Sequence, residues 1–238
     1  MKRPAKKDLK DILFIIQARL GSQRVPQKML RPFAGTNLFE ISLKKVLESD
    51  IPNDQFRASV YEPELKAVVE KYSLSCYDRS EESANCESDL PVVYEWHDKF
   101  PEYKYAVLIN ACNLFLSVET INRFLKEYIS SEHDGMFAVI PKKQYFWDDS
   151  GNMLTKWPDG AIMMNTKEVG TTYEAAHVLY AGRLDLIAEG MWMGEPPYRK
   201  NAPALVEISE FESLDIDYEW QFEVYTTYWE KLYGKSNS

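Results

Sequence analysis

The fold is decided near the N-terminus by the stretch Phe14-Ile15-Ile16-Gln17-Ala18-Arg19-Leu20-Gly21-Ser22-Gln23-Arg24-Val25-Pro26-Gln27-Lys28-Met29-Leu30. The residues from Leu9 to Ile16 are rich in Ile, Leu and Phe with little alternation, which is typical of a strand buried on both faces of a parallel sheet. Polarity changes at Gln17, and a loop with one glycine and three cations follows. An apolar strand that ends in such a loop indicates an anion site.

Each polar residue type in this loop suits a phosphate. Gly21 allows the chain to bend and to approach a ligand closely, and Ser22 offers a hydroxyl or a backbone N–H to a phosphate oxygen. Arg19 and Arg24 can bind oxygens through a bidentate fork, whereas Lys28 supplies a point charge. A solvated basic loop has the same composition, so the residues alone leave both interpretations open. The spacing of a Walker A loop is absent.

The overall charge limits the class of ligand. The chain has 238 residues and a formal net charge of −9. An acidic protein repels a nucleic acid polymer outside any local basic patch, so we expect no such partner. The loop is basic although the chain as a whole is acidic. This difference fits a small anion that binds in one basic cleft better than it fits a polymer.

Length and cysteine content indicate a cytoplasmic protein. The chain is long enough to form one large α/β domain or two small ones without disulfides or structural metals. Cys76, Cys86 and Cys112 form no CxxC pair, so we expect reduced thiols. The apolar run after Met1–Lys10 is too short for a signal peptide or a membrane span, so we expect no membrane association.

The rest of the chain alternates between strand and helix patterns, which predicts parallel βαβ units with right-handed crossovers. An irregular loop is predicted at 192–198, and no linker divides the chain, so a single domain is expected over 10–234. Predicted helices cover 38–47, 62–72, 88–100, 117–128 and 182–190, and predicted strands cover 9–16, 56–61, 74–77, 105–110 and 135–141.

Two segments depart from this alternation. The run from Tyr145 to Trp157 predicts a hairpin with aromatic arms around an Asp-Ser-Gly-Asn turn, inside an inserted lobe at 141–176. Its apolar side chains cannot be buried locally, which indicates packing on the main body or on a second subunit. The other segment follows the third strand, where Arg79 borders the expected ligand edge. A surface arginine paired with Glu81 or Glu82 is the alternative.

Asp215 and Asp217 form an acidic pair before the last helix. They are two residues apart in an extended segment, so both carboxylates project to the same side. Mg2+ prefers one or two carboxylates together with phosphate oxygens and water, which this pair would provide beside a triphosphate. Alternatively, Asp217 caps the helix and Asp215 is merely exposed.

The loop from Ala18 to Lys28 resembles the N-terminal signature of the cytidylyltransferases that activate sialic-type nonulosonic acids and related 3-deoxy-2-keto sugar acids. In that family the loop holds the triphosphate of CTP. The resemblance implies phosphate contacts from Ala18, Gly21, Ser22 and Arg24, with Arg19 and Lys28 acting in catalysis. It also implies a three-layer Rossmann-like fold of the nucleotide-diphospho-sugar transferase type, with a mostly parallel sheet and a small dimerisation lobe containing the hairpin.

Other segments resemble the family with changes. Arg79 matches an arginine that faces the nucleotide, and Asn110 stands in an amide position where the family commonly has Gln-Pro-Thr-Ser-Pro-Leu. Asp215 and Asp217 match the metal-binding Asp-Ile-Asp-Thr-x-x-Asp element, but Gln221 replaces the third acid. Ala176 and His177 replace an Asn-Gly pair. A core histidine is the more common interpretation of His177.

The leading hypothesis is a Mg2+-dependent, homodimeric cytidylyltransferase. It would transfer CMP from CTP to the anomeric hydroxyl of an acidic sugar and release pyrophosphate, for surface glycan synthesis. Two alternatives stay open because of the altered segments. One is a non-catalytic nucleotide- or sugar-binding homologue, and the other is a nucleotidyltransferase with a different polysaccharide-precursor sugar as acceptor.

Overall fold

A seven-stranded sheet forms the centre of the computed structural model, which describes residues 7–193 and 203–234. The strand order is β3-β2-β1-β4-β6-β5-β7, and only β6 runs antiparallel to its neighbours in the described sheet. The expected mostly parallel sheet is therefore confirmed. The strands are β1 (Ile12–Gln17), β2 (Phe56–Val60), β3 (Cys76–Asp78), β4 (Tyr105–Asn110), β5 (Met136–Lys142), β6 (Thr172–Arg183) and β7 (Ala204–Glu207).

Helices cover both faces of the sheet, and local sequence signals explain where several begin. The Asn37 side chain accepts the backbone N–H of Glu40 at 2.8 Å, and Ser117 accepts that of Thr120 at 3.1 Å. Pro63 occupies the first turn of its helix. The helices are α1 (Leu38–Glu48), α2 (Pro63–Lys71), α3 (Glu81–Asn85), α4 (Leu90–Val93), α5 (Val118–Ser130), α6 (Leu184–Ile187) and α7 (Glu219–Tyr233).

Strand β1 is buried on both faces, as its composition predicts. Ile12, Phe14 and Ile16 belong to a core shared with helices α1, α2, α5 and α7. Leu13 and Ile15 face the other way, into a second core that contains Trp96 and residues of α6. Two cores separated by one sheet confirm the three-layer architecture.

The helix predicted over 88–100 is wrong. The chain forms the short α4, turns at Tyr94 with φ −109° and ψ 46°, and continues as a 3-10 turn over Glu95–Asp98. The break places the Trp96 ring in the second core, where its Nε1–H donates to Gln17 Oε1 at 2.8 Å. A buried indole needs such a partner, and this requirement overrides local helix periodicity.

The segment between β5 and β6 contains the predicted turn but little strand pairing. The Asp148 carboxylate accepts backbone N–H groups from Ser150 and Asn152, and one bridge joins Trp147 to Met153. Many of its apolar side chains face solvent, and Leu154 is 68% exposed.

Other expectations have mixed outcomes. Strands β6 and β7 were not predicted, β1 begins at Ile12 after a 3-10 turn, and α6 covers only part of the helix predicted at 182–190. All three cysteines are free. Most of the irregular loop predicted at 192–198 lies outside the described residues. Within the described ranges, no helix has the length and hydrophobicity needed to cross a membrane.

The role of β1 in both cores can be tested with two matched leucine truncations. Leu13→Ala removes a side chain that is 0% exposed, whereas Leu47→Ala removes one that is 40% exposed on α1. We expect Leu13→Ala to lower the free energy of unfolding by about 3 kcal/mol. Leu47→Ala should change it by no more than about 0.5 kcal/mol. Urea denaturation measures both, and equal losses would show that β1 does not have this central position.

Candidate functional site

The main cleft opens at the carboxyl ends of β1 and β4, where Gln17 and Asn110 are paired in register. Strands β2 and β3 continue the sheet on one side of β1, while β4 lies on the other, so the chain changes direction there. Open α/β sheets bind ligands at such a point. The cleft has a volume of ≈ 620 Å³ and is lined by Gln17, Ala18, Arg19, Ser22, Gln23, Arg24, Lys28, Met29, Arg79, Cys86, Glu87, Val93, Cys112 and Asp217.

Two predicted motifs from opposite ends of the chain meet in this cleft. Lys28 Nζ lies 3.6 Å from Asp215 Oδ1 and 3.9 Å from Asp217 Oδ1, and it donates to the Ile216 carbonyl at 2.7 Å. Arg24 pairs with the same Asp217 oxygen at 2.8 Å. Ile216 points the other way and is buried, as expected for an extended segment. Both carboxylates therefore lie close to the same ammonium group, that of Lys28.

Asp217 does not cap the last helix, and Asp215 is not merely exposed, because it lies against Lys28. Tyr218 occupies the position before α7, and Gln221 provides the cap, because its Oε1 accepts the backbone N–H groups of Asp217 and Tyr218 at 2.7 and 2.9 Å. The residue that replaces the third acid thus stabilises the helix start and leaves the Asp217 carboxylate available to the cleft.

Lys28 is held in its charged form. Its side chain is only 13% exposed, and burial opposes the charge. The Cys112 sulfur, as a hydrogen-bond acceptor, and the Asp215 and Asp217 carboxylates outweigh that effect, so the pKa of the Lys28 ammonium is raised. Burial raises the pKa of the Cys112 thiol to about 12, so this group is a neutral thiol at physiological pH.

Arg19 also has an acidic partner in the cleft. One guanidinium nitrogen pairs with Glu87 Oε1 at 2.7 Å, and another donates to the Ala84 carbonyl at 3.0 Å. Glu87 was not identified from the sequence, because it lies in a polar segment without a recognisable motif. Each of the three loop cations therefore faces a carboxylate.

Arg79 is buried, which excludes the interpretation of a surface arginine paired with Glu81 or Glu82. It is 5% exposed, its Nε donates to Ser83 Oγ at 2.9 Å, and one terminal nitrogen donates to the Ser83 carbonyl at 2.6 Å. Burial, with Arg19 nearby, lowers the pKa of this guanidinium to about 10, so it stays charged at neutral pH. Among the described residues, no carboxylate is hydrogen-bonded to Arg79, and a buried cation of this kind that lines a cleft favours an anionic ligand.

The backbone of the loop is anchored by a residue that sequence reasoning missed. Glu62 Oε1 accepts the Leu20 N–H at 2.7 Å, and Ala18 N–H bonds to the Ser59 carbonyl at 3.2 Å. Ser22 Oγ accepts the Val25 N–H at 3.4 Å and lines the cleft. A Cβ on Gly21 would meet no atom of the described residues within 4 Å, so the space beside this glycine is open.

Asn110 is used within the protein. Its Nδ2 donates to the His177 carbonyl at 2.8 Å, and its Oδ1 accepts the Cys112 N–H at 2.9 Å. The amide therefore joins β6 to the loop after β4 and does not line the cleft. Asn113 is also buried, and its amide has no hydrogen-bond partner among the described residues.

The residues fit a magnesium ion that is shared with a phosphate ligand. Asp215 and Asp217 supply hard carboxylate oxygens, and both already contact the cationic Nζ of Lys28. Within 7–193 and 203–234, no group of three or more His, Cys, Asp or Glu residues is placed to hold a metal alone. Mg2+ with two carboxylates takes its remaining ligands from phosphate and water.

Comparisons with solved structures agree with this architecture. The chain superposes on a CMP:2-keto-3-deoxy-manno-octonic acid synthetase complexed with CTP with a TM-score of 0.67 and 12% identity, covering 93% of this chain and 99% of that one. The chain also superposes on a 4-diphosphocytidyl-2C-methyl-D-erythritol synthase from Anaerococcus prevotii with a TM-score of 0.68 and 14% identity. The superposition covers 94% of this chain and 100% of that one. At these identities the similarity shows the fold.

Comparisons of sequence identify two relatives. An N-acylneuraminate cytidylyltransferase B from Danio rerio is 26% identical over 136 residues, which cover 57% of this chain and 32% of the relative. A spore coat polysaccharide biosynthesis protein from Bacillus subtilis is 51% identical over 41 residues, or 17% of each chain. The matches thus span a third or less of these relatives' length.

A protein-family profile described as cytidylyltransferase matches residues 13–210, which include the cationic loop, strands β2 to β7 and all of β1 except Ile12. The match covers well over half of the chain. It confirms the family that the loop and the aspartate pair resemble. The chain belongs to the cytidylyltransferase family.

Proposed function

We propose that the protein transfers CMP from CTP to a hydroxyl group of a 3-deoxy-2-keto sugar acid of the nonulosonic type, and releases pyrophosphate. The observation that carries this proposal is the convergence of Arg24 and Lys28 with Asp215 and Asp217 in one cleft. Three relatives support it: the N-acylneuraminate cytidylyltransferase, the octonic acid synthetase complexed with CTP, and the spore coat polysaccharide protein.

The cationic side of the cleft would bind the triphosphate. Arg19, Arg24 and Lys28 lie on one loop and would neutralise phosphate charge, with Lys28 toward the pyrophosphate that leaves. A contact that strengthens as charge develops on the leaving group raises kcat, whereas a contact of constant strength mainly lowers KM. We therefore assign Arg19 and Lys28 to catalysis and Ala18, Gly21, Ser22 and Arg24 to binding.

The acidic side would exchange partners when substrate binds. In the free protein, Asp215 and Asp217 neutralise Lys28 and Arg24. When phosphates take over that role, both carboxylates become available for Mg2+. The metal, when bound, would supply charge neutralisation at the phosphates. Arg79 is held by Ser83, lines the same cleft and would contact the nucleotide.

The direct test is pyrophosphate release from CTP with Mg2+ across a panel of nonulosonic and octulosonic acids. We expect release with at least one acid, and a product with the mass of its CMP conjugate. Absence of release with every acid would remove the main support for this function.

A different acceptor is the second candidate, and the methylerythritol cytidylyltransferase fold neighbour favours it. Mass spectrometry of products formed from CTP in a cell extract identifies that acceptor. A non-catalytic homologue is the third candidate, favoured by Gln221 and by an Asn110 amide that is engaged within the protein. Tight CTP binding in calorimetry without turnover on any acceptor would establish it.

Asp217→Asn tests the acidic side of the cleft. We expect a fall in kcat of about 100-fold, since one lost stabilising group at a charged transition state typically has that effect. A higher Mg2+ concentration should restore part of the rate. Asp98→Asn is the control, because Asp98 pairs with Lys99 at 2.8 Å and does not line the cleft. Steady-state kinetics that show no Mg2+ dependence for Asp217→Asn would place the metal elsewhere.

Cysteine labelling tests where the nucleotide binds. Cys86 lines the cleft, whereas Cys76 is exposed on β3 outside it. We expect CTP with Mg2+ to slow alkylation of Cys86 by iodoacetamide and to leave Cys76 unaffected. Cys112 should resist the reagent at pH 8 and react only as the pH rises toward 12, because burial raises the pKa of its thiol and the thiolate is the reactive form.

Mass spectrometry of the labelled peptides gives all three rates in one experiment. An unchanged rate at Cys86 with saturating CTP would show that the nucleotide does not occupy this cleft.

We propose that the lobe at 141–176 forms the interface of a homodimer. Phe146, Trp147 and Leu154 are 41%, 48% and 68% exposed, so the lobe presents large apolar side chains to solvent. Trp147→Asp should convert the dimer to a monomer in sedimentation at micromolar concentration. Trp220→Asp is the matched control, because Trp220 is 58% exposed on α7 outside the lobe. A monomeric unmodified protein would contradict this proposal.

A further inference from the structure

We infer that His177 contacts the acceptor and takes the proton from its attacking hydroxyl group. This inference rests on the proposed function and adds the group that the cationic loop and the aspartate pair do not provide. His177 lies in β6, is exposed, and has a φ of +54°. The pairing of β5 with β6 shifts register beside it, between Phe137 and Val139.

The backbone conformation indicates selection for the side chain. A left-handed conformation at a non-glycine residue typically costs about 1–2 kcal/mol. The resembled family has an Asn-Gly pair where this chain has Ala176-His177, and glycine adopts this conformation without strain. A histidine is thus present where glycine would be more stable. Strained residues and strand irregularities of this kind cluster at functional sites, where they direct a side chain toward a ligand.

The position of His177 places it at the same edge of the sheet as the cleft. Its carbonyl accepts the Asn110 amide at 2.8 Å, and that amide also accepts the backbone N–H of Cys112, which lines the cleft. Asn110 is the last residue of β4 and is the register partner of Gln17, which lines the cleft as well. Two hydrogen bonds therefore connect His177 to the wall of the nucleotide site.

The imidazole ring is oriented by one of its nitrogens. Nδ1 lies 3.1 Å from the Tyr180 hydroxyl, and the ring meets Phe137 edge-on at 6.0 Å. Nε2 has no hydrogen-bond partner among the described residues. Tyr180 stays a neutral phenol, because burial, with Tyr94 and Asp215 nearby, raises its pKa. In the tautomer in which Nδ1–H donates a hydrogen bond to the Tyr180 oxygen, Nε2 presents its lone pair to a ligand.

The chemistry needs such an acceptor. As the hydroxyl oxygen of the sugar forms its bond to the α-phosphorus of CTP, its O–H bond breaks and the proton moves to Nε2. The bond from the α-phosphorus to the bridging oxygen breaks, and pyrophosphate leaves with the electron pair. The imidazolium then returns the proton to solvent. A positioned acid or base typically contributes about 100-fold to 10,000-fold to rate.

His177→Gly and His177→Asn separate this role from a structural one. Glycine removes the strain and the imidazole together, while asparagine tolerates the left-handed conformation and keeps a polar group that cannot accept a proton. We expect both variants to melt at or above the temperature of the unmodified protein and to bind CTP with unchanged affinity in calorimetry. Their kcat should fall by at least about 100-fold. Added imidazole should restore part of the rate of His177→Gly.

Three results would overturn the inference. The first is a kcat in His177→Gly equal to that of the unmodified protein, and the second is full activity in His177→Asn, which would assign a hydrogen-bonding role alone. The third is loss of CTP affinity together with turnover, which would show a structural role. These results are distinct from failure of the proposed function, in which the unmodified protein itself releases no pyrophosphate with any acceptor.

Discussion

The contact between the Lys28 ammonium and the segment Asp215-Ile216-Asp217 connects the two ends of the chain, and the cleft depends on it. Lys28 is 13% exposed and lies within 4 Å of two carboxylates and one carbonyl. Opposite charges at 4 Å attract by about 4 kcal/mol at the effective dielectric near a protein surface. Desolvation cancels part of this gain. The remaining attraction holds the cationic loop against the segment Asp215-Ile216-Asp217.

The same contact explains how an acidic protein can bind a polyanion. Arg19, Arg24 and Lys28 are each matched by a carboxylate in the free protein, so the cleft is nearly neutral until a ligand displaces those pairs. A triphosphate alone would meet both the cations and their acidic partners. Under the proposed function, a triphosphate with a divalent cation would satisfy both sides, because the metal would bind the aspartates while the phosphates bind the loop. Charge balance would then favour the metal complex over the triphosphate alone.

The sequence predicts the parts of this arrangement that are local. The apolar run of β1, the cap at Asn37, Pro63 at the start of α2 and the alternation around Ile216 all appear in the structure where their patterns place them. The family resemblance connects the loop to the aspartates, and the sheet brings them together. Local patterns could not reveal β7 or the antiparallel direction of β6, because both depend on pairing with distant strands.

Side-chain roles that depend on burial were also beyond local patterns. Trp96 enters the core and breaks a helix that its periodicity indicates, while Arg79 is buried on Ser83 although its neighbours are acidic and polar. Gln221 resembles a lost metal ligand in sequence but caps α7 in the structure. His177 matches a core histidine in sequence, yet it is exposed in a left-handed conformation, and its carbonyl bonds to Asn110 at the end of β4. Each of these outcomes follows from tertiary contacts between side chains, which a short stretch of sequence does not reveal.

We propose that the aspartates that pair with the loop cations would hold the metal when CTP binds. The most direct measurement is the dissociation constant of CTP by calorimetry, with Mg2+ and with a chelator, in the unmodified protein and in a protein with both Asp215→Asn and Asp217→Asn. We expect Mg2+ to tighten CTP binding in the unmodified protein and this effect to disappear in the double variant. Equal CTP affinity with and without Mg2+ in the unmodified protein would contradict it.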